Sequence, residues 1–99
     1  MDQYWIGHRE RLRQRAEDEG WDSLRPYEMI ELILYYAVPR QDMNEAARAL
    51  VNHFGSVYGV MNATKEELME VRGVSVGMAE WLMRTAELMH AYEAIGPEE

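Results

Sequence analysis

The chain has 99 residues, with 18 acidic and 10 basic side chains, a net charge of −8 and no cysteine. This length fits one domain over residues 1–99, with a single core that needs no metal or disulfide support. The absence of cysteine excludes a thiol nucleophile and a thiolate zinc site, and it suits the cytoplasm. The negative charge disfavours broad adhesion to nucleic acid or anionic lipid. We expect no membrane contact, because no apolar run approaches the roughly 20 residues of a span and no secretory signal is recognisable.

Turn signals at short intervals, with little strict alternation of polar and apolar residues, predict an all-α fold. The expected architecture is a compact domain of five to six helices. Helices are predicted over residues 8–19, 26–37, 43–53, 57–61, 65–71 and 76–92. Asp42 with Glu45 and Thr64 with Glu67 have the spacing of capping boxes, which predicts the starts of the third and fifth helices.

The second predicted helix, over residues 26–37, is almost entirely apolar. Its only charged residues are Glu28 and Glu31. A helix that is hydrophobic on nearly every side is typical of a buried position. We therefore expect this helix to form the centre of the fold.

A helix, a tight turn and a second helix occur twice along the chain. The two units cover approximately residues 26–53 and 64–92, with their turns at residues 38–41 and 72–75. A short helix capped by Ser56 links them.

The second unit resembles a helix-hairpin-helix motif, whose hairpin usually reads glycine, apolar residue, glycine, with an alanine four residues after the second glycine. Gly73, Val74 and Ala79 match this pattern. Ser75 stands where the second glycine is expected. If the backbone there keeps a positive φ, the serine costs about 1 to 2 kcal/mol, so we expect an altered hairpin.

As a whole, from Gly7 to about Leu88, the chain resembles the N-terminal domain of the bacterial DNA repair protein RadC family. The matching positions are residues 7–13, 27–28, 31–32, 36–40, 42, 54–56, 67–68 and 73. In that family a paired helix-hairpin-helix region precedes a larger domain similar to JAB1/MPN metalloproteases, which carries a zinc site with a His-x-His motif. This chain has no such motif. The resemblance therefore implies a non-catalytic module without a cofactor.

The resemblance also implies sequence-independent DNA binding at the second hairpin, where backbone N–H groups and a helix N-terminus meet a phosphate. The candidate residues are Arg72, Gly73, Val74, Ser75, Val76 and Gly77. The alternative is structural: Gly73 closes a tight turn, and Ser75 caps the last helix. The neighbouring acidic residues are Glu66, Glu67, Glu70 and Glu80. They leave little positive field for a phosphate, which favours the structural alternative.

The concentrated basic element of the chain is the run of arginines in the first predicted helix. Arg9 and Arg13 share one face at helical spacing, whereas Arg11 and Arg15 point nearly opposite. Arg9 and Arg13 are candidates for phosphate contact. The alternative is a solvated helix in which nearby acidic residues pair with the arginines.

The last predicted helix is apolar around most of its circumference, so it needs cover on two sides. The candidate interface residues are Met78, Trp81, Leu88, Met89 and Tyr92. A docked neighbour would supply this cover: a RadC-like catalytic domain, a second copy of the chain or another protein. The alternative is that Trp5 and Ile6 cover the helix from within the chain.

We expect neither a metal site nor an active site. His8, His53 and His90 are isolated in the sequence, and no carboxylate pair or nucleophile constellation stands out. The sequence thus predicts a recognition module that is not an enzyme. It binds DNA through the second hairpin or, alternatively, protein through the last helix.

Overall fold

A computed structural model describes the backbone of residues 4–97 and the side chains of residues 7–97. The predicted all-α fold is confirmed over this range. The helices are α1 (Tyr4–Glu19), α2 (Pro26–Ala37), α3 (Asn44–Phe54), α4 (Val57–Met61), α5 (Lys65–Met69) and α6 (Val76–Ile95), and Trp21–Ser23 forms a 3-10 turn after α1.

Helix α2 lies at the centre of the fold, as its composition predicts. It packs against α1, α3, α4 and α6. Its buried residues are Glu28, Ile30, Glu31, Leu32, Leu34 and Tyr35. Leu50 of α3 and Leu82 of α6 are fully buried in the same core. Removal of this apolar surface from water is the main force that holds the helices together.

Side-chain caps set the starts of the three later helices. Ser56, Thr64 and Ser75 each accept a hydrogen bond from a backbone N–H three residues ahead, at distances of 2.9, 3.1 and 3.2 Å. The predicted capping box of Thr64 and Glu67 is confirmed, because the Glu67 carboxylate also accepts the Thr64 N–H at 2.9 Å.

The predicted capping box of Asp42 and Glu45 is wrong. Helix α3 begins at Asn44 and its N-cap is Met43. The Asp42 carboxylate instead accepts the Asn44 N–H at 3.0 Å. A capping box needs its acidic residue at the third helical position, whereas Glu45 occupies the second.

The two predicted helical pairs are α2 with α3 and α5 with α6, and in each pair the helices pack together. Helix α4 links the pairs and contacts α3 and α6. The turn between α5 and α6 is fixed to the core by Val71 and Val74, which are both buried. The identification of the two helical pairs as helix-hairpin-helix motifs stays a prediction.

Helix α6 changes its surroundings along its length. Its N-terminal half buries Met78, Ala79, Leu82 and Ala86. From residue 87 to residue 95 every side chain is exposed. At a rise of about 1.5 Å per residue, the helix thus extends roughly 13 Å beyond the body of the fold.

Candidate functional site

The second hairpin is a tight turn anchored in the core. Gly73 has a φ of +90°, which side chains other than glycine rarely adopt. The Val74 N–H donates to the Val71 carbonyl at 3.1 Å. Since the Val74 side chain is buried, this residue offers only its backbone to a ligand.

Ser75 adopts an extended backbone with a φ of −83° and caps α6. The condition for the predicted cost, a positive φ at Ser75, is therefore not met, because this turn has a positive φ only at Gly73. The closing glycine and the capping serine of the structural alternative are both present. Within the described part of the chain, no hydrogen bond uses the N–H groups of Val76 or Gly77, which lead into α6.

The hairpin lies in acidic surroundings. Arg72 is exposed and takes part in no ion pair among the described residues. A groove of about 520 Å³ separates Arg72 and Gly73 from the start of α3. Asp42 and Glu45 line the wall of this groove opposite Arg72. A phosphate inside this groove would meet two carboxylates. The accessible side of the hairpin is therefore its outer side, at the N-terminus of α6.

The nearby basic side chains on α5 and α6 are already paired. Glu80 lies 3.1 Å from the Lys65 Nζ and 3.3 Å from the Arg84 Nε, and Glu87 lies 2.9 Å from the Arg84 Nη1. The hydrogen bond from Lys65 is the main reason that the pKa of Glu80 is below its ordinary value. These cations neutralise their own glutamates and add little field at the hairpin.

Helix α1 carries several ion pairs, as expected if its arginines pair with nearby acidic residues. Arg13 lies 2.8 Å from both Glu10 and Glu17. Its hydrogen bond lowers the pKa of Glu10. Arg9 donates to the Pro39 carbonyl at 3.1 Å. Arg9 and Arg13 line a groove of about 260 Å³ with α2, which is a different cavity from that of Arg72.

A buried polar cluster, which we call the Glu31 cluster, joins α1, α2 and α3. Glu31 is fully buried. Its carboxylate accepts the Tyr35 hydroxyl at 2.8 Å and the Asn44 amide at 3.1 Å, and the His8 Nε2 lies 3.1 Å from it. Sequence reasoning missed this cluster. The available signal was a charged residue in a helix predicted to be buried, since such a residue needs partners.

Burial, followed by the hydrogen bond to Glu31, raises the pKa of the Tyr35 phenol above its ordinary value of about 10. An acid whose pKa is higher in the folded state stabilises that state fully below its unfolded pKa, and this stability is lost as the pH rises towards the folded pKa. Each pH unit above 10 therefore costs about 1.4 kcal/mol from this residue. Urea unfolding at pH values from 9 to 11, which bracket the ordinary phenol pKa of about 10, measures this effect. As the pH rises over this range, we expect the free energy of unfolding to fall less for Tyr35→Phe than for the wild type. Equal losses would contradict this prediction.

Four apolar residues of α6 form one exposed line, which we call the α6 stripe: Trp81, Leu88, Tyr92 and Ile95. Leu88 and Tyr92 are 68% and 72% exposed. Met89 lies beside the stripe and is also exposed. The Trp81 indole N–H donates to the Ile33 carbonyl of α2 at 3.0 Å, so the stripe starts at a fixed point of the fold.

Two sequence predictions bear on this surface. The prediction of Met78 as an interface residue is wrong, because its side chain is only 3% exposed and packs in the core. The side chains of Trp5 and Ile6, proposed as internal cover, lie outside the described residues. The described residues leave the end of α6 uncovered.

Neither a metal-binding cluster nor a membrane-spanning helix occurs among the described residues. They contain no group of three or more histidine, cysteine, aspartate or glutamate side chains placed to hold a metal ion. Over the same residues, none of the helices is both long enough and apolar enough to span a bilayer.

No protein-family model matches the chain, and no solved structure matches it. A UPF0758 protein of Ruegeria pomeroyi is 43% identical over 74 residues. This similarity supports a relationship to the RadC family. The match covers 75% of this RadC-like chain. It covers 33% of the relative, about a third of that protein's length.

Proposed function

We propose that this RadC-like chain is a non-catalytic module that binds DNA without sequence preference through its second hairpin. The observation that carries the proposal is the outer face of the hairpin, where the turn at Gly73 leaves the N–H groups of Val76 and Gly77 open at the start of a 20-residue helix. A helix N-terminus attracts a phosphate through these donors and the helix dipole. Exposed Arg72 adds a positive charge beside them.

The acidic surroundings set the expected strength of this binding. Backbone donors and one arginine contact only one or two phosphates, while Asp42 and Glu45 repel the strand across the groove. We therefore expect a dissociation constant near the weak end of non-specific binding, about 10⁻⁴ M at physiological salt. With so few contacts, the logarithm of affinity falls against the logarithm of salt concentration with a slope of about −1 to −2.

Charge reversal at Arg72 tests the proposal. We expect Arg72→Glu to lower affinity at least tenfold and to reduce the salt slope by about 1, because a phosphate contact is replaced by repulsion. The measurement is fluorescence anisotropy with labelled duplex, single-stranded and branched DNA at low and moderate salt. Arg11→Glu, on an exposed face of α1, makes the same change in net charge and is expected to have a much smaller effect. Equal losses in both variants, or no wild-type binding at low salt, would overturn the proposal.

Removal of an acidic side chain beside the hairpin provides a gain-of-affinity test. Glu45 is exposed, lines the hairpin groove and opposes a bound phosphate. We expect Glu45→Gln to tighten DNA binding about twofold to fivefold, the effect of removing one exposed charge. Glu19→Gln, at the end of α1, makes the same change in net charge and is expected to leave the affinity nearly unchanged. Identical gains would show that only the net charge matters.

The exposed end of α6 favours a second candidate function, the docking of a partner helix. Apolar side chains at three- and four-residue spacing on an unsupported helix are the arrangement by which one helix binds another. We propose that the α6 stripe takes such a helix. Because the stripe and the hairpin share no residue, one chain can carry both functions.

A further inference from the structure

We infer that the α6 stripe is a homodimer interface, in which α6 of one copy packs antiparallel against α6 of a second copy. The inference rests on the proposal that the stripe docks a helix, and it names the occupant. It is independent of DNA binding at the hairpin.

The spacing of the stripe is that of a coiled-coil seam. Trp81, Leu88 and Ile95 are seven residues apart, the spacing of d positions. Tyr92 lies four residues after Leu88 and three before Ile95, as an a position does, and Thr85 precedes it by seven. The seam runs over two heptads and is exposed at each of its large apolar residues. A second helix with the same repeat completes such a seam.

The flanking positions select a second copy rather than a basic partner. The e and g positions beside a seam set the charge of its partner, and here they hold Leu82, which is buried in the core, and Arg84, Met89 and Ala91. None is acidic, although the chain as a whole carries −8. Arg84 is already paired with Glu80 and Glu87. The seam therefore meets its own copy without a like-charge contact, and small Ala91 permits close approach.

The position of the stripe within the fold favours an antiparallel arrangement. The first half of α6 is buried, so parallel helices would force two globular bodies together at the same end. Antiparallel helices place the bodies at opposite ends and overlap residues 85–95 of the two copies, with the two-fold axis near His90 and Trp81 outside the overlap. In this register Leu88, at a d position, packs on Tyr92 of the second copy, at an a position.

The area of the stripe predicts a weak dimer. Its large apolar side chains within the overlap are Leu88, Tyr92 and Ile95, so the pair buries less than the roughly 1,000 Å² that marks the lower limit of specific interfaces. The net charge of −8 on each copy adds repulsion that salt screens. Dimerisation should thus strengthen with salt, whereas DNA binding at the hairpin weakens with it.

Analytical ultracentrifugation over a concentration series at two salt levels tests the inference. We expect a monomer–dimer equilibrium that Leu88→Asp weakens at least tenfold, with unchanged helical circular dichroism because the Leu88 side chain is 68% exposed in the single chain. His90→Asp introduces the same residue on the other face of the helix and is expected to preserve the dimer. A monomer at every concentration, or equal effects of the two variants, would overturn the inference.

Single-cysteine variants report the direction of pairing, because the natural chain has no cysteine. Ala91→Cys lies near the proposed two-fold axis and is expected to cross-link rapidly with a short bismaleimide. Thr85→Cys is separated from its copy by about 15 Å along the antiparallel axis and is expected to cross-link poorly. Rapid cross-linking of Thr85→Cys would indicate parallel helices and overturn the antiparallel arrangement.

A designed helical peptide with leucine at its a and d positions separates failure of the inference from failure of the docking proposal. If the chain is monomeric but binds this peptide in a Leu88-dependent manner, the homodimer is overturned and helix docking is supported. If the chain neither dimerises nor binds the peptide, both are overturned.

Discussion

Replacement of Glu31 by alanine is expected to destabilise the chain by about 2 to 4 kcal/mol, from a buried hydroxyl left without its partner and from the cavity that the lost side chain leaves. The Glu31 carboxylate accepts hydrogen bonds from Tyr35 and Asn44 and lies against His8. Alanine removes the common acceptor and leaves the buried Tyr35 hydroxyl without its partner. A loss of this size is a large share of the 5 to 15 kcal/mol that typically stabilises a domain.

Graded substitutions distinguish the charge of Glu31 from its hydrogen bonds. Glu31→Gln keeps the size of the side chain and one acceptor oxygen, so we expect about half the loss seen for alanine. Glu19→Ala removes an exposed glutamate from α1 and is expected to change stability by less than about 0.5 kcal/mol. Urea unfolding at neutral pH measures all three. A loss below about 1 kcal/mol for Glu31→Ala would show that the cluster contributes little.

The helix starts were largely predictable because their signals are local. Ser56, Thr64 and Ser75 each cap a helix through a contact three residues ahead, which a short stretch of sequence contains in full. The Asp42 error shows the limit of such signals. Its carboxylate can accept from the second or the third residue ahead, and the spacing alone does not decide between them.

The Glu31 cluster was not predictable because its partners are far apart in sequence. Asn44 is 13 residues away from Glu31, and His8 comes from another helix. Helical periodicity shows which side of α2 is apolar, but it does not show which helices cross there. An apolar helix with a single buried acid signals that partners exist without naming them.

For α6 the amount of apolar surface was predictable from the sequence, whereas its distribution along the helix was not. The apolar circumference predicts that cover is needed on more than one side. The core takes Met78 and Leu82, whereas Leu88 and Tyr92 extend beyond it. That division depends on where the other helices end, which is a property of the whole fold. Apart from Trp81, the candidate interface is consequently confined to the C-terminal half of the helix and is shorter than predicted.

Replacement of Gly59 by alanine is expected to destabilise the chain by about 3 kcal/mol, the upper range for overpacking. Only two residues separate the end of α3 from the start of α4, so Gly59 lies directly against Phe54. A Cβ at this position would come within 2.4 Å of the Phe54 backbone carbonyl oxygen, and a backbone atom cannot move aside as a flexible side chain does.

The matched control for this substitution is Gly77→Ala, in the first turn of α6. A Cβ there meets only the Ser75 Oγ, at 3.9 Å. Because alanine has the higher helix propensity and no contact opposes it, we expect unchanged stability or a gain of up to about 1 kcal/mol. Thermal and urea unfolding of the two variants compare the same chemical change with and without a backbone obstacle. If Gly59→Ala were as stable as Gly77→Ala, α4 would have to be free to move away from Phe54, and the close approach of the two helices would not be a requirement of the fold.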